Sequence, residues 1–168
     1  HDAGFEFYRL GCNLEQADMT TRIIDVRYQD YQPDTDRAEA VQPFENILWM
    51  SVLKSLTAYQ MYRRHRQAAV NRRDVVDFLL MDPAFPRSVR FCVNEMADCL
   101  RGLPKSEHPL ELLGPVEQLI GDCCPASSEQ QALHEFIDEL QIRLGDVHNA
   151  IKSSYFDSFL KSGAIKAA

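Results

Sequence analysis

The chain has 168 residues, 45% of them hydrophobic and 26% charged, with a net charge of −7 at pH 7. That length fits a single domain with enough apolar material for a core, and the acidic balance excludes a general polyanion binder, so no nucleic-acid partner is expected. No run approaches the roughly 18 apolar residues of a membrane helix and no signal peptide is visible, so no membrane partner is expected either.

The chain opens His1-Asp2-Ala3-Gly4 without a Met, which reads as the middle of a longer polypeptide or a start lost to disorder or processing. Asp2 is a plausible N-cap for a long first helix reaching about Tyr28. Apolar residues recur there at Phe5, Tyr8, Cys12, Met19 and Val26, and again at Phe7, Leu10, Leu14, Ala17 and Ile24. These steps of three and four imply a broad apolar face. Glu15, Asp18, Arg22 and Asp25 share the spacing, and at 100° per residue they fall within roughly 80° of one another. They form a polar stripe that borders and partly interrupts the apolar face.

A polar connection from Gln29 to Gln42 is expected next, a surface loop carrying Pro33-Asp34-Thr35-Asp36. Pro43 suits a first helical position. A second helix then runs through Trp49, Val52, Leu53, Leu56, Tyr59 and Tyr62 to a basic end at Arg63-Arg64-His65-Arg66. Asn71 can cap a third, short helix from Arg72 to Met81, with Val75, Val76, Phe78, Leu79 and Leu80 inward. Pro83 and Pro86 force a break, and Pro86 can open a fourth helix to about Leu103 with Val89, Cys92, Val93, Met96, Cys99 and Leu100 on its core face.

Residues 104–113 read as a polar linker, and Gly114-Pro115 as the start of a short helix to about Asp122. Pro125 breaks it. Ser127 or Ser128 caps a last long helix to about Tyr155, with Leu133, Phe136, Ile137, Leu140, Leu144, Val147 and Ile151 in near-heptad spacing. A fraying tail follows from about residue 157. No stretch alternates with period two. The expected fold is therefore all-α: an antiparallel helical bundle of about four long helices plus one or two short ones, forming a single domain over 1–168. Its motif-bearing core is 2–103 and its C-terminal helices lie within 114–156.

Three constellations bear on function. The Glu15/Asp18/Arg22/Asp25 stripe is either a site for a polar ligand or a salt-bridge network that fixes helix register. In the Asp82-Pro83-Ala84-Phe85-Pro86-Arg87-Ser88 break, Arg87 and Ser88 at the start of the fourth helix could hold an anion. The same residues also make an ordinary helix–helix corner capped by Asp82. The basic run Arg63–Arg66 reads as a solvated helix end. The five cysteines, Cys12, Cys92, Cys99, Cys123 and Cys124, are odd in number and lack zinc spacing, which favours buried thiols in a reducing cytoplasm. Vicinal Cys123-Cys124 is the one pair with a redox reading. His134 with Asp138 is an i,i+4 pair without the Glu-x-x-His repeats of a di-iron bundle, so no metal and no cofactor is expected. No phosphate loop and no nucleophile–base set appears.

The segment Phe7-Tyr-Arg-Leu-Gly11-Cys-Asn-Leu-Glu15-Gln16-Ala-Asp18-Met-Thr-Thr-Arg22-Ile-Ile-Asp25-Val26 resembles the signature of the bacterial alpha-E domain family, a predicted α-helical domain with a conserved Glu-Arg motif. The stretch Asp77-Phe-Leu-Leu-Met-Asp82-Pro-Ala-Phe-Pro86-Arg87-Ser88-Val89 resembles that family's second block, and Trp49 and the Tyr59/Arg63 region fit as well. The resemblance covers about residues 5–103. Relatives of this kind are about twice as long, with one signature in each half, so this chain resembles the second half. It departs at the motif's Arg, which is Gln16 here, and at Cys12, where an Arg is usual. The resemblance therefore carries no arginine role to those two positions.

It does imply a context, since alpha-E domains are commonly encoded beside ATP-grasp-type ligases and transglutaminase-like proteins. The expected function is a helical partner module of an ATP-grasp-type peptide ligase or peptide-tagging system, without catalysis of its own. Two alternatives stay open. One is an enzyme or ligand-binding domain that uses the polar stripe and Arg87/Ser88 to hold an acidic peptide or acyl-phosphate intermediate. The other is a structural bundle that forms a homo-oligomer through its last helix.

Overall fold

The computed structural model describes residues 2–29, 38–67, 69–122 and 130–157. Among them are seven α-helices: α1 (Ala3–Gln29), α2 (Ala38–Ser55), α3 (Tyr59–Arg66), α4 (Arg72–Met81), α5 (Val89–Arg101), α6 (Glu107–Asp122) and α7 (Gln130–Ile151), the last running into a π-helical turn at Lys152–Phe156. No strand occurs among the described residues, so the fold is an all-α bundle. No described helix is long and apolar enough to cross a membrane.

Helix α1 is the spine. Asp2 caps it, its Oδ1 accepting from the Phe5 amide at 2.9 Å. Leu10, Ala17 and Ile24 are fully buried against the rest of the bundle. Contacts along its length fix its neighbours' directions. Arg9 pairs with Glu95 and Thr20 Oγ1 donates to the Arg87 carbonyl at 3.0 Å, so α5 runs antiparallel to α1. The Phe7 ring meets Tyr155 edge-on at 4.9 Å while Asp25 meets His134 at 2.7 Å, so α7 is antiparallel to α1 as well. α6 packs along α7, where Arg143 donates to the Pro115 carbonyl at 3.0 Å.

The core is one cluster that draws on every α-helix. The expected inward sets of α4 and α5 are all buried. Phe78 stacks on Phe85 at 5.0 Å and meets Tyr62 edge-on at 5.5 Å, tying α3, α4 and the turn after α4 together. At the volume of a Phe, such a position is worth about 3–5 kcal/mol on truncation to Ala.

Several expected boundaries are corrected. The second helix starts at Ala38, before Pro43, because Ala38, Glu39 and Ala40 are good helix formers and extend it in the N-terminal direction. It does not continue to Arg66: α2 ends at Ser55, and Thr57 adopts φ 55°. There the Ala58 amide donates to the Leu53 carbonyl at 2.7 Å and the Thr57 amide to that of Lys54 at 3.0 Å, a Schellman closure with Thr in the place Gly usually takes. Pro86 does not open the next helix. Ser88 is its N-cap, and Val89 its first residue. The expected linker 104–113 is largely helical, because α6 begins at Glu107. Pro109 falls in its first turn, where a missing amide costs nothing, and Pro115 is carried inside the helix rather than starting it. The expected caps Ser127 and Ser128, the pair Cys123-Cys124 and the tail beyond 157 lie outside the described residues, as does most of the expected loop at 30–37.

Candidate functional site

The two apolar series on α1 have different fates. At 100° per residue, Leu10, Ala17 and Ile24 point roughly opposite to Tyr8, Cys12, Met19 and Val26. The first series is core. In the second, Tyr8, Met19 and Val26 are 68%, 49% and 58% exposed. The single broad apolar face expected from the sequence is thus two faces, and the polar stripe lies along one margin of the outer one.

Three clefts flank this outer side of α1. One, of about 480 Å³, lies between α1 and α7 and is lined by Glu15, Asp18 and Arg22 together with Gln141, His148 and Asn149. A second, of about 370 Å³, lies toward the turn after α4 and is lined by Cys12, Glu15, Gln16, Thr20, Ser55 and Arg87. A third, of about 420 Å³, lies between α1 and α2, with Arg22, Val26 and Ser51 in its wall. Glu15 borders the first two and Arg22 the first and third.

The seven candidate residues divide by what the fold already asks of them. Arg22 donates from Nε to Asp18 at 2.7 Å. That i,i+4 contact raises the Arg22 pKa, chiefly through the hydrogen bond. With 59% of the Arg22 side chain exposed it is a surface pair of small worth. Asp25 turns away from the other three and meets Nδ1 of His134 on α7 at 2.7 Å. The Nε2 of the same ring lies 3.5 Å from Asp138. The hydrogen bond to Asp25 pushes the His134 pKa up, and the nearby carboxylates add to the shift. Asp25, His134 and Asp138 could in principle offer a metal three ligand atoms within 4.8 Å of one another. Each ring nitrogen, however, faces a carboxylate of its own. That is the geometry of an imidazolium clamped between two anions, and it fastens α1 to α7.

Asp82 and Ser88 are spent on the corner. Asp82 Oδ1 accepts the amides of Ala84 and Phe85, both at 2.9 Å, and its Oδ2 meets His65 at 3.0 Å. Ser88 is fully buried, accepts the Phe91 amide at 3.0 Å and donates to the Asp82 carbonyl. The corner reading of this segment therefore accounts for both residues, and Ser88 presents no hydroxyl to a ligand. The carbonyl of Arg87 is held by Thr20, while its guanidinium has no ion pair among the described residues. Glu15 has none either. These two opposite charges face one cleft and are the members of the set that the fold leaves over.

Reasoning along the chain missed Thr20, Thr21 and Asn13, which are buried polar groups of α1. Thr21 and Asn13 satisfy themselves on carbonyls of the preceding turn, Asp18 at 2.7 Å and Arg9 at 2.9 Å. Thr20 alone reaches another element. It also missed Gln141, His148 and Asn149, whose only signal is a polar interruption beside Gly145 on an otherwise heptad-like helix. Cys92 and Cys99 are buried as expected, and burial drives their thiols up to about 12 and about 11. Neither is a nucleophile near neutral pH.

A family model described as Alpha-E, a predicted alpha-helical domain with a conserved ER motif, matches residues 1–156. No curated protein and no solved structure gives a match. The match spans nearly the whole chain and agrees with the all-α architecture: the chain belongs to the Alpha-E family.

Proposed function

We propose that this domain is a helical partner module without catalytic chemistry of its own, and that its partner is an ATP-grasp-type peptide ligase, with a transglutaminase-like protein as the neighbouring possibility. The observation that carries this reading is the outer face of α2. Trp49, Val52, Leu53 and Leu56 face the core, while Phe44, Ile47 and Leu48 stand roughly 130° away around the helix and are 68%, 61% and 50% exposed. A second apolar face on an already packed helix is the usual mark of a protein-binding surface. The division of the candidate residues supports the absence of catalysis, because Asp82 and Ser88 are occupied by the corner, Asp18 by Arg22 and Asp25 by His134. A bacterial cytoplasm suits the free thiols of Cys12, Cys92 and Cys99.

Co-expression of the chain with a neighbour-encoded ATP-grasp ligase, followed by affinity capture under native conditions, tests the proposal. Capture is expected for the natural chain and its loss for Ile47→Asp/Leu48→Asp with unchanged helix content. No association of the natural chain with such a ligase counts against the proposal, and so does capture that survives the double change.

A second reading is favoured by one observation: Glu15 and Arg87, neither with an ion pair among the described residues, line one cleft. Opposite charges across a cleft of that size suit a ligand bearing both signs, such as a peptide terminus, or an acidic peptide held by Arg87. Titration with short peptides distinguishes this reading. Binding lost in Arg87→Ala, with the ligase still captured, would put the function in the cleft.

A further inference from the structure

We infer that the outer side of α1 is the seam of an antiparallel twofold dimer of this chain. Tyr8, Cys12, Glu15, Met19, Arg22 and Val26 follow one another at steps of four, three, four, three and four. That is the spacing of a coiled-coil seam, and over about 27 Å of helix it stays on one side. This side is solvent-facing here, with Tyr8, Met19 and Val26 half to two-thirds exposed, while the core is served by the opposite side. A helix with a complete second seam lacks a partner for it.

The charges identify that partner. Glu15 and Arg22 lie at equal distances on either side of a point between Asp18 and Met19. Cys12 and Val26 lie at equal distances on either side of Met19. A second copy of α1 crossing antiparallel at Met19 sets Glu15 of each copy within one residue of register, about 1.5 Å along the axis, of Arg22 of the other. The same crossing sets Cys12 against Val26 and Met19 against itself. A parallel pairing would instead set Glu15 on Glu15 and Arg22 on Arg22, which like-charge repulsion opposes. Both groups are available. Glu15 has no ion pair among the described residues of its own chain, and Arg22 uses only Nε on Asp18, which leaves its terminal amino groups for a second carboxylate. The interface is isologous and closes on itself, as a twofold dimer requires. It is independent of the ligase proposal, since it concerns the chain alone and a different helix face.

The test is sedimentation equilibrium of the purified full chain, with circular dichroism to verify that each variant is folded. The natural chain is expected to be a dimer, with a dissociation constant in the range of roughly 1–100 µM given a seam of four apolar residues and two charge pairs. Glu15→Arg and Arg22→Glu are each expected to weaken it by about tenfold or more, because each makes two like-charge contacts. The decisive arm mixes the two single variants. The mixture, like the double variant Glu15→Arg/Arg22→Glu, restores both opposite-charge contacts and is expected to return to within a few-fold of the natural dissociation constant. A natural chain that stays monomeric overturns the inference. So does a dimer that the single changes leave intact, as assembly through α7 would give, and so does a mixture no tighter than its components.

Discussion

Ser88, one of the candidate binding residues, caps α5 and fastens the corner after α4. Its replacement by Ala is therefore an informative perturbation. Two hydrogen bonds of a fully buried side chain vanish. Loss of the N-cap bond to the Phe91 amide costs about 1 kcal/mol, within the range of roughly 0.5–2 for such caps. Loss of the donor leaves the part-buried Asp82 carbonyl without that partner, for a further 1–2 kcal/mol or so. The two add to roughly 2–3 kcal/mol. Arg87→Ala, one residue earlier, removes a guanidinium with no ion pair among the described residues and leaves intact the backbone carbonyl that Thr20 grips. It is expected to change stability by no more than about 0.5 kcal/mol.

Urea unfolding measures both, followed by circular dichroism and by the fluorescence of the single tryptophan, Trp49, which is buried on α2. For a slope near 2 kcal/mol per molar urea, Ser88→Ala should lower the midpoint by about 1 M and Arg87→Ala by about 0.2 M or less. A Ser88→Ala midpoint within about 0.2 M of the natural chain would refute the corner reading. An Arg87→Ala loss as large as that of Ser88→Ala would do the same, since it would mean that the two residues act as one unit.

Three other outcomes are expected. The raised pKa of His134 means that the Asp25–His134–Asp138 clamp stabilises the chain fully below the ordinary histidine pKa of about 6.5, and that this stability fades as pH rises through the folded value. The stability gap between the natural chain and His134→Ala should accordingly be largest near pH 5.5 and shrink by about pH 9, and in an Asp25→Asn background most of that pH dependence should disappear. In a Cys123→Ser/Cys124→Ser background, a thiol reagent at about pH 8 should modify Cys12 in the native state, while Cys92 and Cys99, held at about 12 and about 11, react only after denaturation. Finally, Thr57→Gly relieves a left-handed residue and should raise the unfolding midpoint by the equivalent of roughly 0.5 kcal/mol or more, whereas Thr57→Val should lower it.

What the chain displays openly is what depends on neighbours in sequence. Asp2 and Asn71 cap the helices they were expected to cap, because a cap is a contact with a residue three positions on. The core faces of α4 and α5 follow directly from their periodicity. The break after Ser55 is hidden for the opposite reason: its left-handed residue is Thr57, not the Gly or Asn that would announce it. The start of α6 is masked by Pro104 and Pro109, which look like breakers until one sees that Pro109 occupies a first turn. The Asp25–His134 contact joins residues 109 apart and leaves no local trace at all. The polar stripe was visible as a stripe, but its division between α7, Arg22 and open clefts depends on helices that arrive from elsewhere in the chain.

The stripe is therefore neither wholly a lock nor wholly a site, and the division falls along the helix in a way the packing explains. Toward its C-terminal end, α1 is flanked closely by α7, and Asp25 is consumed in an interhelical clamp with His134. One turn earlier Asp18 and Arg22 satisfy each other on the surface, at little energetic gain. At Glu15 clefts open on both sides, and the carboxylate meets no cation among the described residues. Glu15 has no ion pair among the described residues, sits in the middle of the outward-facing seam and lines one cleft with Arg87, which is why both proposals call on it. A basic counterpart for Glu15 would come from Arg87 across the cleft in the ligand reading, or from Arg22 of a second copy in the dimer inferred above. In both cases the acid stays on this helix and its partner comes from outside it.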